Sequence, residues 1–322
     1  MNTQNLKNML FISLLMLLFT SCQNDDANDV TTSQNPFEGP FEQNISFHFD
    51  TTTFNDGWTS KVKEDWVEVT KGNITVLLHY KIFNMQSQDI DQIISTAWNG
   101  IVAPRYSSLS NYIATYISTY NRPYLGMGSV VENASGQQKF VLLFRRGAGW
   151  IEVICPDKTT FINQFQFDPE TIQWNSNDEL VNSVAVLANY NKFAIAASDL
   201  NNTGKWSTSY SNNTFYSNYY TGAYEGMSTF TSSQWFVFGK NQAYHWEIIG
   251  TNSSGGQTSV GSAKSDGTYT IPNNWQIQCS NIENKPKLYD AYYTATKGGR
   301  LLWMNDAEHP GNGTFTGYAV SN

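Results

Sequence analysis

The sequence predicts an α+β chain: an N-terminal antiparallel sheet covered by helices, a connector helix, and then an all-β eight-stranded meander barrel. Three observations carry this expectation. In the first half, short runs alternate apolar with polar residues and are interrupted by segments of three-and-four spacing. From Thr203 onward the helical period vanishes, and apolar runs recur about every ten residues between Gly-, Asn- and Ser-rich turns. Aromatic residues make up 15% of the 322 and charged residues only 14%, so polarity comes from Ser, Thr, Asn and Gln, a β-rich composition.

The chain opens with Lys7 and an apolar run, Met9 to Phe19, broken only by Ser13. A bilayer crossing needs about 20 apolar residues, so this run reads as a secretory signal over residues 1–21. Residues 22–40 are an Asp-, Asn-, Thr- and Ser-rich tether that cannot bury a core. Residues 41–170 carry the sheet, 171–202 the connector and 203–322 the barrel.

Within the sheet region, strands are expected at 45–49, 58–69 and 73–80. Ile90, Ile93, Ile94, Ala97, Trp98 and Ile101 then mark one face of a helix capped by Ser87 and ending before Pro104. Strands follow at 109–119, 126–132, 139–146 and 150–155, with NASGQQ and RGAG as turns. Pro156-Asp157 opens a short helix carrying Phe161, Ile162 and Phe165, and Asn177 caps a connector helix with Leu180, Val181, Val184, Leu187 and Ala188 on one face. The barrel strands are expected at 206–210, 234–238, 243–249, 259–264, 268–271, 275–281, 288–296 and 300–304. Eight strands close into a barrel just wide enough for one small ligand.

Three resemblances add to this. Phe19-Thr20-Ser21-Cys22 resembles a bacterial lipobox, which implies acylation of Cys22 by palmitate-type chains and a membrane anchor. Gln23-Asn24-Asp25-Asp26 looks like a surface-export signal; a solvated linker is the alternative reading. Together they imply an outer-membrane lipoprotein, with surface exposure expected and periplasmic retention as the alternative. Residues 41–167, with their closing GWIEVICPDKTTFINQF passage, resemble the PsbP-like fold, which implies a binding or accessory module. Gly204-Lys205-Trp206 resembles the lipocalin G-x-W, and Arg300 stands where that family places a basic residue over the tryptophan. In that likeness the three residues close the barrel and contact no ligand.

Acidic residues outnumber basic ones 27 to 19, a net charge of −8, which disfavours a nucleic-acid partner. Cys155 and Cys279 lie in apolar strand contexts and read as buried free thiols. His48, His79, His245 and His309 are scattered without zinc-like spacing, so no metal or cofactor is expected. His309, with Asp306 and Glu308, reads as a solvated turn. No nucleophile elbow is present. Asp56 with Glu64-Asp65 is the one carboxylate couple available for glycoside cleavage, but turn formation explains Asn55-Asp56-Gly57, and no catalytic residue is assigned.

The tyrosine-rich segment 210–226 reads as a long loop over the barrel mouth. Tyr216, Tyr219, Tyr220 and Tyr224, together with Trp235, Phe238, Trp246 and Trp275, are the candidate ligand contacts, since amphipathic rings suit sugars and lipid chains. The function expected is therefore a lipid-anchored, non-enzymatic envelope protein that binds a small amphiphilic molecule or glycan. A scaffold acting on protein partners is the second class, separable from the first because its barrel interior would be filled. An enzyme acting on polysaccharide is the third.

Overall fold

In the computed structural model the described residues are 35–41, 49–80, 89–147, 149–217, 224–254, 257–310 and 314–321, side chains within 212–227 excepted. Residues from Gly39 onward form one compact unit. Its first half is an eight-stranded antiparallel sheet of β1 (Thr52–Thr53), β2 (Thr59–Val62), β3 (Trp66–Lys71), β4 (Ile74–His79), β5 (Tyr106–Tyr116), β6 (Tyr124–Glu132), β7 (Gln138–Arg146) and β8 (Gly149–Cys155). The order is β1-β2-β3-β4-β8-β7-β6-β5. The chain leaves β4, crosses to the far edge through helix α1 (Ile90–Ile101), and returns as a meander that seats β8 beside β4.

Strand alternation gives this sheet two buried faces. Val67, Val76, Leu142 and Val153 point to one, while Val141, Leu143 and Trp150 point to the other and meet Ile93, Ala97 and Trp98 of α1. The helix lies so close that a Cβ on Gly126 would stand 2.7 Å from Ile94 Cγ2. The cap of α1 is Asp89, whose Oδ1 accepts from the amides of Asp91 and Gln92; Ser87, the expected cap, lies outside the described residues, as does most of the expected strand at 45–49. The expected strand 58–69 is instead two, β2 and β3, because the chain reverses between Val62 and Trp66.

Helix α2 (Lys158–Phe165), capped by Asp157, covers the other face of the sheet with Phe161 and Phe165. The expected connector helix is three short pieces, 3₁₀ at Asp178–Val181, α at Asn182–Ala185 and 3₁₀ at Val186–Tyr190. Its predicted apolar face survives in part: Val181, Val184 and Leu187 are buried, whereas Leu180 is exposed. Phe165 of α2, Val184 and Leu187 of the connector, and Phe193 and Tyr293 further on belong to one apolar cluster, so sheet and barrel share a continuous core.

The second half is a closed antiparallel barrel of β9 (Gly204–Ser217), β10 (Tyr224–Phe238), β11 (Ala243–Ser254), β12 (Gln257–Asn273), β13 (Gln276–Ile282), β14 (Lys285–Thr296), β15 (Gly299–Asp306) and β16 (Thr316–Val320). The strand total is the expected eight, but its membership differs. The two strands expected at 259–264 and 268–271 are one, β12, and β16 was not anticipated. Ser265-Asp266-Gly267 reads as a turn in sequence, yet Gly267 is there for close approach: a Cβ would fall 2.5 Å from Ser280 Oγ and 3.0 Å from Tyr244 Oη. The expected loop at 210–226 is largely the two arms of the β9–β10 hairpin, paired from Tyr224↔Ser217 down to Phe238↔Gly204.

Candidate functional site

Among the described residues, alternate positions of the strands build the barrel interior. Trp206, Phe236, Phe238, Tyr244, Tyr269 and Tyr293 are all at most 1% exposed and fill the space that a ligand would need. The polar ends of these rings are placed as well: Tyr269 Oη donates to Ala197 O at 3.1 Å, and Tyr244 Oη to Asn281 O. Cys155 and Cys279 are buried free thiols, as expected, and burial pushes both up to about 12.

At the end where β9 begins, the segment 193–203 closes the barrel. Phe193 pairs with Tyr293, and Ile195 N donates to Asn274 O at 2.8 Å. Gly204 adopts φ +79°, a left-handed conformation, with Phe41 packed where its Cβ would be. Trp206 is fully buried, and its Nε1 donates to Thr203 Oγ1 at 2.9 Å. The Arg300 guanidinium lies 5.8 Å from the Trp206 ring centroid but only 4.3 Å from that of Tyr293, and it donates to Asp199 O. Gly204, Trp206 and Arg300 are thus brought together.

The candidate ligand contacts do not share one face. Phe238 and Trp246 point inward and are buried, whereas Trp235 points outward and Trp275 is 40% exposed beside the β12–β13 turn. Tyr216 and Tyr224 sit in β9 and β10. Tyr219 and Tyr220 lie outside the described residues, as do Cys22, Gln23, Asn24, Asp25, Asp26 and His48.

Outside the barrel wall, the outward residues of β9, β10 and β11 form a groove of about 520 Å³. Lys205, Ser207 and Ser209 line it from β9, Thr231, Ser233 and Trp235 from β10, and Ile249 and Thr251 from β11. The register puts Trp235 directly opposite Ser207, and Ser233 opposite both Ser209 and Ile249. Lys205 Nζ stands 4.3 Å from the Trp235 ring centroid. An aromatic plane beside a ladder of hydroxyls offers both an apolar stacking surface and paired hydrogen-bond donors and acceptors.

A second cavity, about 440 Å³, lies at the edge of the α1 face of the sheet, where Trp66, His79, Ile101, Pro104 and Arg105 meet Asp65 and Lys297. Behind it is Glu152, fully buried. Its Oε2 takes a hydrogen bond from Arg105 Nη2 and lies 2.9 Å from His79 Nε2. The register pairs His79 with both Trp66 and Trp150, so these groups project from neighbouring strands on one face. The Arg105 guanidinium lies 5.3 Å from the Trp66 ring centroid and 5.2 Å from that of Tyr106. Sequence reading missed this cluster. The available signal was Glu152 itself, since period two places it with Trp150 and Ile154 on a buried face, where a carboxylate demands a partner.

The carboxylates considered for glycoside cleavage have other partners: Asp56 accepts from the Tyr190 hydroxyl, and Asp65 pairs with Lys297 at 2.8 Å. The Tyr190 bond holds the Asp56 carboxyl below its usual range. The two contacts fasten the sheet to the connector and to the β14–β15 turn. His309 is 83% exposed in its turn, with Asp306 Oδ1 accepting from the amides of Glu308 and His309.

Fold and site together define a class: a closed eight-stranded antiparallel barrel continuous in its core with an eight-stranded antiparallel sheet, with one groove among the described residues on the outer face of the barrel wall. Comparison with family models, with curated proteins and with solved structures finds no match.

Proposed function

We propose that this is a lipid-anchored protein of the outer membrane, surface-exposed, whose lipocalin-like barrel binds a saccharide on its outer wall rather than in its interior. Its PsbP-like sheet is a second module of the same envelope protein. The observation that carries the reading is the pairing of a filled barrel with the hydroxyl-lined groove at Trp235. A sugar ring stacks its C–H face on the indole, and its hydroxyls exchange hydrogen bonds with Ser207, Ser209, Thr231 and Ser233. Lys205 adds a cation, which favours saccharides that carry carboxylates.

Titration calorimetry of the full chain against neutral and uronic-acid oligosaccharides tests this. Binding that weakens at least tenfold, about 1.4 kcal/mol, in Trp235→Ala is the expected result. No binding by any of the oligosaccharides, or equal binding by the variant, would remove the proposal. For the anchor, labelling with a palmitate analogue is expected to mark the parent and not Cys22→Ser, which should leave the membrane fraction.

A scaffold role is the second reading, and two observations favour it: the packed barrel interior that distinguishes this class, and a free strand edge. The register of β12 with β13 begins only at Tyr269, so the stretch of β12 from Gln257 offers a long outer edge that can pair with another chain.

A further inference from the structure

We propose that the cavity formed by Trp66, His79, Ile101, Pro104 and Arg105 is a binding site for a small monocarboxylate with an apolar body. This site is separate from the groove at Trp235 and rests on its own observations. A buried ion cluster is expensive: removing a charge from water costs several kcal/mol, and hydrophobic residues of like volume commonly serve the fold as well or better. Here the expense is incurred at the wall of a cavity. Glu152 is fully buried, and its Oε1 has no hydrogen-bond partner among the described residues. Trp66 Nε1 is likewise buried without one. The unmet indole N–H belongs to a residue of the cavity wall and is a donor that a carboxylate oxygen can satisfy, whereas the unmet Glu152 oxygen is an acceptor and does not itself select an anion.

The chemistry of the cavity selects the ligand. Arg105 is 29% exposed in its side chain, and both hydrogen bonds recorded for its guanidinium use Nη2, one to Glu152 and one to Ile101 O. Glu152 and the Ile101 carbonyl both engage Nη2, with the Trp66 and Tyr106 rings 5.3 and 5.2 Å away, and the other guanidinium N–H groups are the donors suited to a carboxylate. Arg105 with Glu152 and Lys297 with Asp65 balance one another, so each negative charge a ligand brings is uncompensated, and a ligand with a single one is a better match than a dianion. Lys297, on the β14–β15 turn, stands at the rim with its side chain 67% exposed and can swing toward an incoming anion. Ile101, Pro104 and the Trp66 ring supply an apolar wall for the ligand body. The volume, about 440 Å³, falls in the range of small-molecule sites, roughly 300–1,000 Å³.

The test uses the purified full chain and three probes: benzoate, its neutral isostere benzamide, and inorganic phosphate, read by calorimetry and by the indole N–H resonances of the tryptophans. Benzoate is expected to bind saturably in the millimolar range and to move the Trp66 resonance, with benzamide and phosphate at least tenfold weaker. Arg105→Lys keeps the charge and loses the fork, so it should weaken benzoate at least tenfold. Lys297→Ala changes only an exposed rim residue and should weaken it two- to threefold with unchanged circular dichroism. Trp235→Ala should bind benzoate like the parent, which separates this site from the saccharide groove. The proposal is overturned if benzoate gives no saturable response, if benzamide matches it, or if phosphate binds in its place. It is also overturned if Lys297→Ala and a folded Arg105→Lys both bind as the parent does. Should Arg105→Lys fail to fold, the benzoate-to-benzamide ratio of the parent and the Lys297→Ala variant decide.

Discussion

Replacing Phe236 by alanine measures how solid the barrel is. Phe236 is fully buried; its ring lies 5.7 Å from that of Phe238, stacked at 5°, and meets Tyr318 and Tyr289 edge-on at 5.6 and 6.1 Å. Truncating a buried phenylalanine to alanine costs about 3–5 kcal/mol, the transfer of the ring plus the cavity left behind. Three aromatic partners at favourable geometry, each worth about 0.5–1.5 kcal/mol beyond area burial, place the expected loss at the upper end of that range. In urea unfolding, with a slope near 3 kcal/mol/M for a chain of this size, the midpoint should fall by about 1 to 2 M without a change in slope. The variant should also admit benzene into the new apolar cavity, while the parent should not. A midpoint shift below about 0.3 M, or uptake of benzene by the parent, would refute the claim that the barrel is filled by its own side chains.

Three further outcomes follow from the buried polar groups and the strained backbone. Glu152→Gln keeps the shape and removes the charge facing Arg105 and His79; given that Arg105 is partly exposed, the loss should be about 2–3 kcal/mol by urea unfolding, and a loss below about 0.5 kcal/mol would mean the cluster is energetically idle. Burial raises Cys279 from 9.0 and Tyr244 from 10.0 to about 12. The unfolded chain therefore releases these protons first, the native state binds more protons than the unfolded one, and stability should decline as pH rises from about 9 to about 12. A flat unfolding midpoint across that interval would contradict it. Gly204→Ala forces a β-carbon into a left-handed conformation and against Phe41, which should cost about 1–2 kcal/mol; adding Phe41→Ala should relieve the steric share and leave the backbone share.

Much of the architecture was legible because its signals are local. The three-and-four spacing from Ile90 to Ile101 predicts α1 and its buried face, since a helix must place those residues on one face whatever lies beneath, but the cap is Asp89 rather than the expected Ser87. The alternation in β7 and β8, with their turns, is likewise carried by neighbouring residues. Errors arose where a residue has two local meanings. Gly267 reads as a turn but serves a close approach to Tyr244 and Ser280, so one strand reads as two in sequence. The connector at 178–190 keeps its apolar spacing yet is segmented, because packing against the shared core overrides helical continuity.

For the candidate sites the balance is different. Gly204, Trp206 and Arg300 were legible as a group through their resemblance, and the structure brings them together with Tyr293 as Arg300's nearest ring. Trp235 was singled out for its ring, but whether it faced the interior or the solvent depends on strand parity. That parity is settled only once Phe236 and Phe238 are seen to turn inward.

Sequence alone therefore determined the periodicities and the presence of an all-β second half built of short antiparallel runs. Each of these depends on residues within a few positions of one another. Tertiary structure decided that aromatic rings pack the described barrel interior, that the groove at Trp235 lies on its outer wall, and that Glu152 meets Arg105 and His79 across separations of 47 and 73 residues. Those outcomes depend on which strands neighbour which and which face closes inward. The contacts that select them join segments far apart in the chain, and no local pattern encodes them.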